Sequence, residues 1–153
     1  FGWGKSGHDA IAYIAECNLT PKAKKNIEKY LDGRSIVYYA SWMDVYRHTP
    51  AYKVTSGWHG DRVDADGKYV PNAKGDALQC IEEAISRLKD YRSLDDSTVL
   101  VSIKYLVHLV GDMHCPVHVK YPWYKNFKFA LNGRPSEFHS FWDSGVLDLN
   151  HRW

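Results

Sequence analysis

The chain has 153 residues and 17.6 kDa, a length suited to one domain, and 44% of it is hydrophobic, enough to build a core. A formal net charge of +2 excludes a strongly cationic nucleic-acid binder, so any nucleic-acid chemistry here must rest on local groups. Cys17, Cys80 and Cys115 form no C-x-x-C pair, which excludes a zinc ribbon or a disulfide framework. No apolar run approaches the roughly 18 residues that a membrane span needs.

Residues 6–17 carry Ile11, Ile14 and Ala15 at helical spacing. Thr20-Pro21 is a capping residue followed by proline at the first helical position, so a helix is expected over 21–31. Asp32-Gly33 closes it, and Ser35 begins a third helix running to about Arg47. From Thr49 to Asn72 proline, glycine and aspartate break the pattern, which predicts a long loop of functional character. Helical periodicity resumes over 74–92 and 96–110. A loop rich in proline and aromatics follows over 115–135, and Pro135-Ser136 is expected to open a last helix over 136–147. The fold class is therefore all-α, a single helical domain over 1–153 with long loops at one end.

Eight histidines and 14% aromatic residues, six of them Trp, are the unusual features of the composition. In LVHLVGDMHCPVH, His108 and Asp112 stand at i and i+4, so one helix face offers an imidazole and a carboxylate to the same point. His118 follows beyond Pro116, and a second i,i+4 pair, His139 and Asp143, lies in HSFWD. One such pair is an ordinary helix-surface contact; two in a chain this short point to metal. Asp44 lies in an aromatic helix, where a buried carboxylate needs a partner, either Arg47 or a metal. His8 and His59, taken alone, read as hydrogen-bonded core histidines. His48, His114 and His151 fit no pair. Most of the tryptophans are core by default, and only Trp58 and Trp142 flank ligand positions.

Trp3-Gly4-x-x-Gly7-His8, SWMD ending at Asp44, His59, H-x-x-x-D-x-H-x-P-x-H from His108 to His118, and H-x-x-x-D from His139 occur in an order that resembles the tri-zinc single-strand nucleases of the S-one/P-one type. These are related to zinc-dependent phospholipase C. The resemblance runs from Trp3 to Asp143. It implies up to three zinc ions: one held by Asp44, His59, His108 and Asp112, and one by His118, His139 and Asp143. The third would be held by His8, a bridging Asp112, and the amine and carbonyl of Trp3. It further implies a metal-activated water, Arg47 as a phosphate clamp, and an acidic side chain near the attacking water, for which Asp61 and Asp64 are both candidates. The substrates would be single-stranded nucleic acid or nucleotides, cleaved to 5′-phosphate products with 3′-nucleotidase action alongside.

The family's aromatic residue after the loop histidine is Gly60 here, so base stacking is expected from Trp58, Tyr121, Trp123 or Tyr124. Phe1 and Gly2 precede Trp3 and read as remnants of processing. Family members continue past the last ligand, so their C-terminal helices are expected to be missing. A secreted or periplasmic location is implied by the resemblance, and no protein partner is indicated. Two alternatives stand beside this reading: a phospholipase C, which the Asp at 143 in place of Glu disfavours, and an inactive metal-binding module.

Overall fold

A computed structural model describes residues 3–150 and shows a mainly helical fold. Helix α1 spans Lys5–Cys17 and α2 spans Pro21–Glu28, the latter started by Thr20, whose side chain accepts a hydrogen bond from Ala23 N at 3.1 Å. A 3-10 turn (Ile36–Tyr39) and the short α3 (Trp42–Tyr46) follow. Helix α4 (Ala77–Lys89) is capped by Asp76, and α5 (Asp96–Met113) by Asp95. After α5 come α6 (Phe138–Ser140), a π-turn over Phe141–Gly145, and α7 (Val146–Asn150).

Helix α5 organises the core because its apolar residues face two sides. Val99 and Ile103 pack with Ala12, Leu31, Ile36 and Tyr39 from the N-terminal elements. Tyr105 and Leu109 pack with Met43 and with Ala77, Cys80 and Ala84 of α4. Ala77 and Ala84 are fully buried, and their small side chains let α4 approach α5 closely. Among the described residues, the three cysteines are free, and no helix is long and apolar enough to cross a membrane.

The structure departs from the sequence reading in three places. Two small sheets lie where loops were expected. Strand β1 (Asp61–Val63) pairs antiparallel with β2 (Tyr69–Val70) and parallel with β3 (Val119–Lys120), while β4 (Lys128–Leu131) and β5 (Arg134–Glu137) form a hairpin. Pro135-Ser136 therefore belongs to a strand and opens no helix. The hairpin turn is made by Asn132 and Gly133 at positive φ, a strong turn signal that outweighs the proline. The expected third helix over 35–47 is interrupted at Ala40-Ser41, because the Ala40 carbonyl accepts a hydrogen bond from His108 Nδ1 at 2.7 Å. Conversely, α5 runs on through Asp112, which keeps His108 and Asp112 on one face.

Candidate metal centre

Four elements converge on the buried end of α5. His8 comes from the first turns of α1, Asp44 from α3, His59 from the segment leading into β1, and His108 and Asp112 from α5 itself. His108 and Asp112 are fully buried, and His8 and His59 nearly so. The inward atoms form a tight cage. His59 Nδ1 and His108 Nε2 lie 3.1 and 3.2 Å from Asp112 Oδ2 and 3.2 Å from each other. Asp44 Oδ1 is 3.5 Å from His108 Nε2 and 3.6 Å from His59 Nδ1. Ligand atoms about 2.0–2.2 Å from a tetrahedral ion stand about 3.3–3.6 Å apart, so these spacings suit one zinc-sized cation.

Asp112 also faces the other way. Its Oδ1 lies 3.1 Å from His8 Nε2, whose ring stacks on His108 at 3.9 Å and stands 3.8 Å from Asp44 Oδ2. Yet among the described residues His8 Nε2, Asp44 Oδ1 and Asp112 Oδ1 are buried without a hydrogen-bond partner. Unsatisfied inward donors and acceptors are costly in a core and are what a bound cation would satisfy. The electrostatics agree. Burial would raise the Asp112 carboxyl, but hydrogen bonds from His108 and His59 and the nearby His8 hold it well below the usual carboxylate range. Burial also opposes a charged His108, yet Asp112 and Asp44 push it up to about 9. Burial lowers His59, and Asp44 stays low despite burial through attraction to His108 and His59. Two carboxylates thus draw positive charge into the cage, and a dication answers that demand better than a proton.

A second group lies beside the first. His118 Nε2 is 3.6 Å from Asp143 Oδ1, and His139 Nε2 is 3.1 Å from Asp143 Oδ2. Cys115, His118 and Asp143 also offer converging ligand atoms, with the Cys115 thiol 3.6 Å from Asp143 Oδ1. Burial pushes that thiol up to about 12, so it serves Asp143 as a hydrogen-bond donor. The groups are tied together through backbone: His118 Nδ1 donates to the His59 carbonyl, and Gly4 N donates to the Asp143 carbonyl at 2.6 Å. A Cβ on Gly60 would lie 2.9 Å from the His118 carbonyl oxygen, so glycine permits the close β1–β3 approach that seats His59 beside His118.

The remaining sequence candidates fall in different places. Arg47 is buried and lines a cavity of about 270 Å³ with His59, Asp61, His118 and His139. Asp61 lies in that cavity but also accepts from Leu78 N at the start of α4, while Asp64 is turned to Asp66 N and Lys68 N in the β1–β2 turn. The Trp58 indole donates to the Lys74 carbonyl and its ring stands edge-on to Tyr105. Tyr121 and Trp123 are exposed and stack on each other with ring centroids 5.0 Å apart. The Tyr124 hydroxyl lies 3.2 Å from His139 Nδ1 and orients that ring. Trp3 is half-buried beside Gly7, where a Cβ would meet it at 2.7 Å. His48 and His114 are exposed, and His151 lies outside the described residues. Sequence reasoning missed three supports: the Ala40 carbonyl, the Cys115 thiol and the Tyr124 hydroxyl. Only Cys115, inside the HCPVH run, offered a local signal.

The scaffold is mainly helical, and its buried His/Asp cage gathers groups that could hold a metal ion. The S1/P1 Nuclease family profile matches residues 3–152, and the chain belongs to that family. It is 26% identical to Nuclease S1 of Aspergillus oryzae over 164 residues, covering 100% of this chain and 53% of that protein. It is 29% identical to Nuclease P1 of Penicillium citrinum over 157 residues (93% and 57%) and 26% identical to Endonuclease 2 of Arabidopsis thaliana over 167 residues (96% and 57%). The chain thus spans about half the length of the curated relatives it matches.

Proposed function

We propose that the protein is a zinc-dependent phosphodiesterase that hydrolyses single-stranded DNA or RNA to 5′-phosphate products, with 3′-nucleotidase action at the same centre. The observation that carries this reading is Asp112. One fully buried carboxylate presents Oδ2 to His59 and His108 and Oδ1 to His8, the arrangement of a group shared between two cations. Asp44 would complete the first set, His118, His139 and Asp143 would hold a second ion, and His8 with Asp112 and, by the resemblance, the Trp3 backbone would hold a third. Zinc, when bound, supplies Lewis-acid stabilisation of charge at phosphorus and lowers the pKa of a water towards neutrality.

The chain's own residues supply the rest. His108 donates Nδ1–H to the Ala40 carbonyl and His118 donates Nδ1–H to the His59 carbonyl, which fixes both tautomers with Nε2 turned towards Asp112 and Asp143 respectively. Arg47, at the cavity wall, clamps a phosphate oxygen with its planar guanidinium. Asp61 lies in the same cavity, and in this reading it takes a proton from the attacking water. Tyr121 and Trp123 offer an exposed aromatic surface to bases. We also read the protein as secreted or periplasmic, on the resemblance.

Zinc-loaded protein assayed side by side on denatured DNA, RNA, a 3′-nucleoside monophosphate and phosphatidylcholine tests the reading. Cleavage of the three nucleotide substrates, with 5′-phosphate on the polymer products, is expected. Hydrolysis of phosphatidylcholine alone, or of nothing, would overturn it.

A further inference from the structure

The small sheet beside the metal centre carries a feature that the metal sites leave unused. Strands β1 and β3 pair in parallel with Arg62 opposite Lys120, so two cations stand side by side on one face. Like charges directly across a sheet are destabilising by themselves. Here both residues are exposed, and neither makes an ion pair among the described residues. Both line the cavity that holds Arg47, His59, His118 and His139. Its two other carboxylates do not neutralise them. Asp61 accepts from Leu78 N, and Asp76 is occupied by Tyr69 Oη, Asn72 N, Gln79 N and Gln79 Nε2.

The chain after Lys120 continues this surface. Tyr121 and Trp123 follow at once, exposed and stacked with a 28° interplanar angle. Tyr121 reaches back across the β1–β2 turn, where a Cβ on Gly67 would lie 3.4 Å from its hydroxyl. A cation pair facing the metal cavity and an aromatic pair beyond it match the alternation of phosphate and base along a single strand.

We infer that Arg62 and Lys120, continued by Tyr121 and Trp123, form a track for the nucleotide flanking the scissile phosphate, and that this track selects polynucleotides over mononucleotides and small diesters. The inference rests on the phosphodiesterase reading above but concerns residues outside the metal sets. Arg62 and Lys120 hold the flanking phosphate, whereas Arg47 acts at the scissile one.

The test is the salt dependence of binding and turnover on a labelled single-stranded oligothymidylate, comparing the intact protein with an Arg62→Ala/Lys120→Ala variant. Each phosphate contact to a single strand contributes about 0.7 to the slope of log affinity against log salt, so loss of two should make the slope shallower by about 1.4. At low salt, kcat/KM on the oligonucleotide should fall about 10-fold or more, while hydrolysis of a chromogenic small phosphodiester stays unchanged. A charge-keeping variant, Arg62→Lys/Lys120→Arg, should retain the slope, and unchanged metal content in each variant excludes loss of the centre. An unaltered slope, or an equal loss on the small diester, overturns the track. Anisotropy binding of the oligonucleotide reads the slope even if no substrate is cleaved, so failure of the phosphodiesterase reading is recognised separately.

Discussion

Replacing Gly60 by alanine probes how the fold seats two metal sets side by side. The new Cβ would stand 2.9 Å from the His118 carbonyl oxygen, about 0.5 Å inside ordinary contact, and the neighbour is backbone. Strand β1 or β3 must therefore yield, and with them the His118 Nδ1 hydrogen bond to the His59 carbonyl. Overpacking of this kind costs about 1–3 kcal/mol. For a chain of this size that corresponds to a fall in Tm of about 2–12 °C. Gly57→Ala is the control, since a Cβ there meets nothing within 4 Å, and it should stay within about 0.5 kcal/mol of the parent. Calorimetry with metal analysis of both variants reads the result: Gly60→Ala should lose Tm and bound zinc together. If Gly60→Ala keeps the parental Tm and zinc content, the close approach does not position the centre.

Removing the Tyr124 hydroxyl with Tyr124→Phe should weaken zinc at the His118/His139/Asp143 set by about 10–100-fold, measured by competition with a chromogenic chelator, with little change in Tm. Chelation should destabilise the whole fold, because the cage otherwise keeps unsatisfied polar atoms buried; an ion present at a thousand times its Kd adds about 4 kcal/mol, and re-adding zinc should restore Tm. Alkaline pH should unfold the protein. Burial pushes Cys80 up to about 11 and Tyr105 up to about 12, so the folded state keeps protons that the unfolded chain releases from about pH 9 upward. The stability these groups contribute is present below that pH and is lost as pH rises to about 12, which denaturant melts across the range would show.

Much of the His/Asp cluster was legible because its residues come in local pairs. His108 and Asp112 read as i,i+4 neighbours and stand on one face of α5 as that spacing requires. His139 and Asp143 do the same, although their segment is a short helix running into a π-turn. The resemblance added His8, Asp44 and His59, which no spacing links to α5. The sheet was hidden for the opposite reason: Asp61 pairs with Val119, far away in sequence, and strands of two or three residues carry no period to read. The sequence does not show the Lys74 carbonyl that takes the Trp58 indole. The break before α3 was likewise invisible, since its cause is a histidine 68 residues away.

The most direct test of the account is an anomalous difference map at the zinc edge from crystals of the zinc-loaded protein. Peaks are expected on both sides of Asp112, one among Asp44, His59 and His108 and one towards His8, with another between His118, His139 and Asp143. No peak at Asp112 would contradict the shared-carboxylate centre, and with it the function built on it.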